Sequence, residues 1–253
     1  MTDLKLPQFL TTKSGERIAY KMSAGAVDTD VPTLIWCGGL KSDMEGGKAT
    51  HLHAWADARG QGFIRFDYFG HGQSSGDFID GTISRWAKDV TLVRDQLTTG
   101  PVILIGSSMG GWAAMLSAMQ LTPNVAGLVL INPAPDFTEK LTKARWSEAQ
   151  LKALDENGIV YEPSGYDEPY AYSKTLIEDG RKYQILDYPI PITCPVRILQ
   201  GYDDSVVPWQ HSKLIVDMIS SHDVTYTLVK GGDHSLSRPQ DLALIETAIA
   251  GIG

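Results

Sequence analysis

The sequence GSSMG at residues 106–110 places Ser108 between two glycines, directly after the apolar run Val102–Ile105. A G-x-S-x-G sequence between a strand and a helix forms a sharp turn that exposes the serine hydroxyl at the end of the strand. Glycines beside the serine leave space for the strand and the helix to approach each other. The apolar run and the helix-like sequence that follows the turn therefore predict Ser108 as a nucleophile.

A serine hydroxyl near neutral pH needs a base to accept its proton and a third group to orient that base. After a turn of this kind the partners follow in the order Asp or Glu, then His. Asp203 and Asp204 follow the apolar segment Val196–Leu199, and His234 lies in a glycine-rich loop after the apolar segment Val224–Val229. The sequence thus predicts that Ser108 works with one of these acids and with His234.

Asp204 is preferred to Asp203 as the orienting acid. Two residues commonly separate such an acid from a Val-Pro pair, as two residues separate Asp204 from Val207-Pro208. Asp203 is then a neighbouring loop acid or a solvated turn residue.

His234 is preferred as the base because it is the histidine that follows the acid at the end of a predicted strand. The other five histidines are His51, His53, His71, His211 and His222. Four of them lie in or beside predicted surface helices, where a solvated or partly packed side chain is the ordinary interpretation. His71 lies in a tight turn after a strand, and we expect it to be structural.

Attack on a carbonyl group places negative charge on its oxygen, which preorganised N–H donors stabilise. The residue after the nucleophile, Met109, is predicted to supply one backbone N–H. The loop Gly38-Gly39-Leu40 after the third strand is predicted to supply the other, with Leu40 favoured over Gly39. These glycines also turn the chain, which is compatible with the same role.

The predicted elements explain how residues so far apart could meet. Predicted strands cover residues 8–12, 17–22, 32–37, 62–66, 102–105, 125–131, 196–199 and 224–229, and predicted helices cover about 48–59, 82–97, 112–120, 208–219 and 239–252. Alternating strands and helices form a parallel sheet with helices on both faces. We therefore predict an α/β fold with a mostly parallel eight-stranded sheet, whose strand ends bring the predicted site residues to one edge.

Residues 134–191 interrupt this alternation after the sixth strand, so the predicted core is 1–133 with 192–253. The interruption contains many charges and the aromatic residues Trp146, Tyr161, Tyr166, Tyr170 and Tyr172. It is too apolar for disorder, and long ordered insertions are usually functional. We interpret it as a lid of two or three short helices over a pocket. The alternative is a helical excursion whose aromatic side chains only pack on the sheet.

The composition excludes several classes of function. The formal net charge of −8 disfavours binding to nucleic acid or to anionic membrane surfaces. No apolar run reaches the 18 residues that a membrane span needs. The chain has no H-E-x-x-H or clustered Cys and His spacing for a metal, and no Walker loop or G-x-G-x-x-G for a nucleotide. We therefore expect no cofactor and no metal.

The two cysteines, Cys37 and Cys194, lie at or beside predicted buried strands, which suits free thiols in a reducing compartment. The N-terminal segment Met1–Lys5 lacks the pattern of a secretory signal or a transit peptide. A cytoplasmic location is therefore expected.

Several blocks of the sequence resemble the α/β-hydrolase superfamily. They are Arg65-Phe66-Asp67-Tyr68 with Gly70, Gly106-Ser107-Ser108 with Gly110-Gly111-Trp112, Asp203-Asp204 with Val207-Pro208-Trp209, Asp233-His234, and Gly39 with Met44, Gly46 and Lys48-Ala49. Within the superfamily they are similar to the subfamily of palmitoyl-protein thioesterases and acyl-glucuronide esterases typified by α/β-hydrolase-domain protein 10 and its bacterial relatives. The blocks run through most of the chain outside residues 134–191.

This resemblance implies the α/β-hydrolase fold and a serine hydrolase that cleaves carboxylic esters or thioesters without metal or organic cofactor. It carries the catalytic roles to Ser108, Asp204 and His234. The implied substrate is a small molecule or an acylated protein with an apolar acyl group. Three alternatives stay open: acyl transfer to an alcohol or amine, cleavage of a carbon–carbon bond by the same triad, and a binding protein on a hydrolase fold. The last normally lacks a triad member, and the sequence has all three.

Overall fold

A large mixed sheet with helices on both faces organises the computed structural model, which describes residues 6–23, 31–120, 124–164 and 169–252. The segment Met1–Lys5 and Tyr166 lie outside the described residues. In chain order, the elements are β1 (Gln8–Thr11), β2 (Arg17–Met22), β3 (Thr33–Cys37), α1 (Gly47–Ala58), β4 (Phe63–Phe66), α2 (Ile83–Leu97), β5 (Val102–Ser107), α3 (Met109–Ala118), β6 (Val125–Ile131), α4 (Glu148–Asn157), β7 (Ile159–Glu162), β8 (Tyr170–Ser173), α5 (Lys174–Lys182), β9 (Val196–Gly201), α6 (Trp209–Met218), β10 (Val224–Val229) and α7 (Pro239–Ala250).

The main sheet has eight strands in the order β1-β2-β4-β3-β5-β6-β9-β10. The strand β2 pairs antiparallel with both β1 and β4, and every other pairing in this sheet is parallel. The predicted mostly parallel, eight-stranded sheet is thus confirmed. Because β3, β5, β6 and β9 are neighbouring parallel strands, their carboxyl ends lie at one edge of the sheet.

The central strands are buried on both faces, which explains their continuous apolar sequences. Alternate side chains of β3 enter two different clusters: Ile35 belongs to the cluster that contains Trp86 and Trp112 on one face, whereas Leu34 belongs to the cluster that contains Leu52 and Ile245 on the other. The first face is covered by α2 and α3, and the second by α1 and α7. The strand period of two therefore determines which side chains of β3 point to each layer of helices.

Helix α2 shows how local sequence sets an element. The side chain of Thr82 accepts a hydrogen bond from the Arg85 N–H and caps the first turn. Ile83, Trp86 and Val90 then recur at helical spacing and are fully buried. This capped, one-faced helix matches the prediction for residues 82–97.

The insertion at residues 134–191 differs from the predicted set of short helices. It contains α4, α5 and two short helical turns, and it also contains β7 and β8, which pair antiparallel in a separate two-stranded sheet. Gly158, with a φ of 74°, ends α4 and turns the chain into β7. The strands have four residues each, too few for period-two alternation to stand out among the neighbouring charges.

No helix within the described ranges is both long enough and apolar enough to cross a membrane.

Candidate active site

Ser108 occupies a strained turn between β5 and α3. Its φ of 54° and ψ of −120° lie outside the regions that residues other than glycine normally adopt. Three backbone hydrogen bonds hold it there. The Ser108 N–H donates to the Ile131 carbonyl at 2.9 Å, and the Ser108 carbonyl accepts the N–H groups of Gly111 and Ala134 at 3.0 and 3.1 Å. The nucleophile candidate is therefore fixed both by its own turn and by the end of β6.

The glycines of the turn are required by close backbone contact. A Cβ atom on Gly110 would lie 2.1 Å from the Cys37 carbonyl oxygen and 2.3 Å from the Gly38 carbonyl oxygen. A Cβ atom on Gly106 would lie 2.6 Å from the Cα atom of Gly111. Helix α3 consequently begins at Met109, three residues earlier than predicted, because glycines that suggest a loop in the sequence serve here to pack the helix against β3 and β5.

A continuous line of hydrogen bonds joins Ser108, His234 and Asp204. The His234 Nε2 atom lies 3.2 Å from Ser108 Oγ, and its Nδ1 atom lies 2.7 Å from Asp204 Oδ2. The other carboxylate oxygen of Asp204 accepts the N–H groups of Val206 and Val207 at 2.8 and 2.9 Å. Because this buried carboxylate accepts from Nδ1–H, the tautomer that remains has Nε2 free to accept the serine proton.

The structure separates the two adjacent acids. The side chain of Asp204 is fully buried, whereas Asp203 is exposed and its backbone N–H donates to the Gly232 carbonyl at 2.9 Å. It is Asp204, the preferred candidate, that contacts His234.

Of the six histidines, all within the described residues, His234 is the one that contacts Ser108. The Nε2 atom of His51 lies 2.6 Å from Glu246 Oε1. His53 is buried, and its Nδ1 atom accepts a hydrogen bond from Arg65 Nε–H at 3.0 Å. His211 is buried against the Pro135 carbonyl, where burial lowers its pKa, and His222 is exposed.

His71 is buried and supports the loop after β3. Its Nε2 atom accepts the Lys41 N–H at 3.1 Å, and its Nδ1 atom lies 3.1 Å from the Phe69 carbonyl. Burial lowers the pKa of His71 to about 4, so the ring stays neutral and accepts at neutral pH. Asp67 supports the same loop, because it accepts the Met44 N–H at 2.7 Å.

The two predicted backbone donors lie beside Ser108. A Cβ atom on Gly39 would lie 3.6 Å from Ser108 Cβ, so the loop after β3 passes next to the serine. The Gly39 carbonyl accepts the Ser42 hydroxyl at 2.7 Å, and the Leu40 N–H of the same trans peptide points in the opposite direction, away from Ser42. Met109 is the first residue of α3, where an N–H has no partner within the helix.

A cavity of about 330 Å³ lies at this edge of the sheet. The core residues that line it include Leu40, Lys48, Ser108, Met109, Val207 and His234, and those from the insertion are Ala134, Phe137, Leu141, Thr142, Arg145, Tyr170 and Tyr172. The insertion thus contributes a mainly apolar part of the wall, which suits an apolar group of a ligand.

Polar and aromatic contacts hold the insertion side of the cavity in place. The buried Glu162 on β7 accepts Trp146 Nε1–H at 2.6 Å and pairs with the guanidinium of Arg145. The rings of Phe137 and Trp112 of α3 are nearly perpendicular, with 5.7 Å between their centroids. The wall therefore contacts both the two-stranded sheet of β7 and β8 and the helix that follows Ser108.

Within the described ranges, no group of three or more His, Cys, Asp or Glu side chains converges on a possible metal site. Cys37 and Cys194 are both free thiols, and burial raises the pKa of Cys37 to about 12 and that of Cys194 to about 11. These thiols are therefore protonated at neutral pH.

Residues 38–244 match a family model described as the alpha/beta hydrolase family. The chain belongs to this family. The hydrolase is 36% identical over 243 residues to "Palmitoyl-protein thioesterase ABHD10, mitochondrial" of Mus musculus, an alignment that covers 94% of this chain and 79% of that one. The Homo sapiens protein of the same name is 34% identical over 240 residues, covering 94% of this chain and 76% of its own.

Solved structures give the same result. The hydrolase superposes with a TM-score of 0.92 on a putative hydrolase from Agrobacterium vitis S4, at 42% identity and 98% coverage of both chains. It superposes with a TM-score of 0.88 on alpha/beta hydrolase domain-containing protein 10 from mouse, at 33% identity and 97% coverage of both chains. The resemblance and the α/β-hydrolase fold predicted from the sequence blocks are confirmed.

Proposed function

We propose that this hydrolase is a serine hydrolase that cleaves carboxylic ester or thioester bonds through an acyl-enzyme. The observation that carries the proposal is the hydrogen-bonded line from Ser108 Oγ through His234 to Asp204 at the wall of the cavity. A neutral imidazole held in this orientation can remove the hydroxyl proton while the carboxylate stabilises the imidazolium that forms. Relatives that are called thioesterases support an acyl thioester as one substrate class.

In the acylation step, Ser108 Oγ attacks the acyl carbon and its proton moves to His234 Nε2. The backbone N–H groups of Leu40 and Met109 stabilise the negative charge on the carbonyl oxygen, and the amino-terminal end of α3 adds favourable electrostatics. The bond to the leaving group then breaks, and the leaving thiol or alcohol takes the proton from Nε2.

In the deacylation step, water gives a proton to His234 Nε2 and its oxygen attacks the acyl carbon. The bond to Ser108 Oγ breaks, and this oxygen recovers the proton from Nε2. The products are the carboxylic acid and the free enzyme, so no cofactor takes part.

The substrate in this proposal is a small molecule or an acylated protein with an apolar acyl group. Phe137, Leu141 and Tyr172 support this choice, because they give the insertion side of the cavity an apolar surface. Residues 134–191 would then act as a lid over a core formed by residues 1–133 and 192–253. Two free thiols support a reducing compartment, for which the cytoplasm is our proposal.

A fluorophosphonate probe tests the nucleophile directly. We expect it to label Ser108 in the native protein and to leave Ser108→Ala unlabelled, with digestion and mass spectrometry locating the adduct. Steady-state rates on esters and thioesters of graded acyl length, together with an acyl glucuronide, then identify the substrate class. Products formed with an added alcohol or amine separate hydrolysis from acyl transfer. Folded native protein that takes no label would support the binding-protein alternative instead.

A further inference from the structure

Asn132 is the first residue after β6, and its side chain bridges loops that follow two other strands. Its Nδ2 group donates to the carbonyl oxygens of Asp233 and His234 at 3.1 and 2.8 Å. Its Oδ1 atom accepts the N–H of Gly201, the last residue of β9, at 2.7 Å. The amide therefore contacts both the loop that carries His234 and the start of the loop that carries Asp204.

The position of Asn132 is tightly constrained. The residue is fully buried and has a φ of 44°, a left-handed conformation that asparagine tolerates better than most residues. Its backbone N–H donates to the Leu199 carbonyl at 2.8 Å. Both side-chain N–H groups have carbonyl partners and the side-chain oxygen has an N–H partner, so the amide orientation is determined by its surroundings.

The two loops that Asn132 joins are in close backbone contact. A Cβ atom on Gly201 would lie 2.6 Å from the carbonyl oxygens of Gly232 and Asp233. The residue before Asn132, Ile131, accepts the N–H of Ser108. The end of β6 thus contacts the chain segments of all three residues in the hydrogen-bonded line.

The loop of His234 needs an external support. Gly231 and Gly232 precede it, and glycine restricts the backbone less than any other residue. The imidazole itself is about one-third exposed, so packing alone does not hold it. Its two nitrogens must nevertheless reach Ser108 and Asp204 at the same time.

We infer that Asn132 is a positioning residue for His234. It holds the backbone of residues 233 and 234 against the ends of β6 and β9, and this sets the imidazole between Ser108 Oγ and Asp204 Oδ2. The inference rests on the proposed function, because it assigns Asn132 a role in the alignment of that triad. Asn132 itself does not touch the reacting atoms.

Three variants at this position separate the contacts. Asn132→Asp keeps the shape and the acceptor for Gly201 N–H, but it turns a carboxylate oxygen towards two carbonyl oxygens. Asn132→Gly tolerates the left-handed φ and removes all side-chain contacts. Asn132→Ser retains a hydroxyl that can donate to one carbonyl.

Ser23→Ala is the matched control. Ser23 is also buried, and its hydroxyl oxygen accepts the Phe63 N–H at 2.7 Å. Phe63 is the first residue of β4, so this contact lies at the amino ends of the parallel strands, at the opposite edge of the sheet from the cavity. The change removes one buried hydrogen-bond acceptor and leaves the contacts of the His234 loop and of the cavity wall intact.

We expect Asn132→Asp and Asn132→Gly to lower kcat on a p-nitrophenyl ester on the order of 10²-fold with little change in KM, since small misplacements of a reacting group have effects of this size. The rate of fluorophosphonate labelling should fall in parallel, and Asn132→Ser should lie in between. The NMR signal of the His234 Nδ1 proton should shift or broaden. Ser23→Ala should keep the native kcat and the native signal, and urea unfolding corrects every rate for the folded fraction.

Folded Asn132 variants with native kcat and a native Nδ1 signal would overturn the inference while the active native enzyme still supports the proposed function. Equal loss of kcat in Ser23→Ala would also overturn it, because the effect would then be general destabilisation. Native protein that neither takes the label nor hydrolyses any ester or thioester would remove the proposed function and the inference together. If the Asp and Gly variants do not fold, Asn132→Ser decides the same question.

Discussion

At the scale of the residue, the adjacent acids Asp203 and Asp204 are predicted to differ in their effect on kcat, because Asp204 is buried and Asp203 is exposed. Asp204→Asn keeps the side-chain shape but presents an amide where the imidazole needs a carboxylate, so the ring favours the wrong tautomer and loses support for its positive charge. We expect kcat to fall roughly 10⁴-fold, as it does when a triad acid is replaced in this way. Esterase rates on a p-nitrophenyl ester, with circular dichroism to verify folding, measure the effect.

Asp203→Asn is the control, because Asp203 is exposed and its side chain does not meet His234. It should keep kcat within a few-fold of the native value. The opposite pattern, with Asp203 essential and Asp204 dispensable, would contradict the assigned role of Asp204.

The buried side chain of His71 is expected to make the stability of the folded protein sensitive to acid. Its pKa is about 4 in the folded protein, below the ordinary 6.5, because burial disfavours the charged ring. Between these values the unfolded chain binds a proton that the folded protein does not, so stability falls as pH falls through this window, by up to about 1.4 kcal/mol per pH unit. Above the window the ring is neutral in both states and contributes no pH dependence.

His71→Gln removes the titration and keeps an acceptor for the Lys41 N–H. We expect urea unfolding at pH 7 and pH 5 to give a smaller loss of unfolding free energy in this variant than in the native protein. His222→Gln, at an exposed position, should retain the native loss. A native loss in His71→Gln would show that other groups cause the acid sensitivity.

Sequence alone could nominate Ser108, Asp204 and His234, because a nucleophile turn and the ends of later strands leave few candidates, and the structure brings these three side chains together. Asn132 and Asp67 could not be found in this way. Each is a single polar residue after a strand, and each binds backbone atoms of loops that are distant in sequence. Backbone groups carry no residue-type signal, so their partners become visible only in the folded chain.

At the scale of the element, the contact between α3 and the end of β3 leaves no space for a side chain at Gly110. Gly110→Ala would force a Cβ atom against two backbone carbonyl groups that cannot rotate away. We expect a loss of stability at or above the upper end of about 1–3 kcal/mol, and slower fluorophosphonate labelling as the loop after β3 shifts. Urea unfolding and labelling rates measure the two effects.

Gly47→Ala provides the comparison, since a Cβ atom there meets no atom within 4 Å and the residue begins α1. It should leave the free energy of unfolding unchanged or slightly raised, because alanine favours a helix more than glycine does. Equal losses in the two variants would mean that close contact at Gly110 is not what requires glycine.

Three strands were predictable to the residue: β2, β6 and β10 have the bounds that the sequence predicts. The hairpin of β7 and β8 was missed because four-residue strands of mixed polarity lack a periodic signal. A tertiary contact stabilises β7 instead, since Glu162 at the end of this strand accepts a hydrogen bond from Trp146 of the preceding segment. Short elements in an insertion therefore depend on packing more than on propensity.

At the scale of the whole molecule, the cavity is a joint product of the core and the insertion. The core supplies the polar line at the strand ends, and residues 134–191 supply much of the apolar wall. In the proposed function, an acyl group next to Ser108 would contact both parts. We therefore expect substitutions in the core to change the rate of the chemical step, and substitutions in residues 134–191 to change the selectivity for the acyl chain.

Acyl-chain selectivity tests this division. Each methylene buried against the wall should raise kcat/KM about fourfold, from roughly 0.8 kcal/mol of transfer free energy, until the chain outgrows the cavity of about 330 Å³. Leu141→Ala removes apolar wall and enlarges the space, so kcat/KM should fall for chains that reach Leu141 and the preferred length should increase. Tyr161→Ala, on β7 and largely exposed away from the cavity lining, should leave the profile unchanged. Hydrolysis of p-nitrophenyl esters of graded length measures all three profiles, and identical profiles for Leu141→Ala and the native enzyme would exclude this wall from the acyl site.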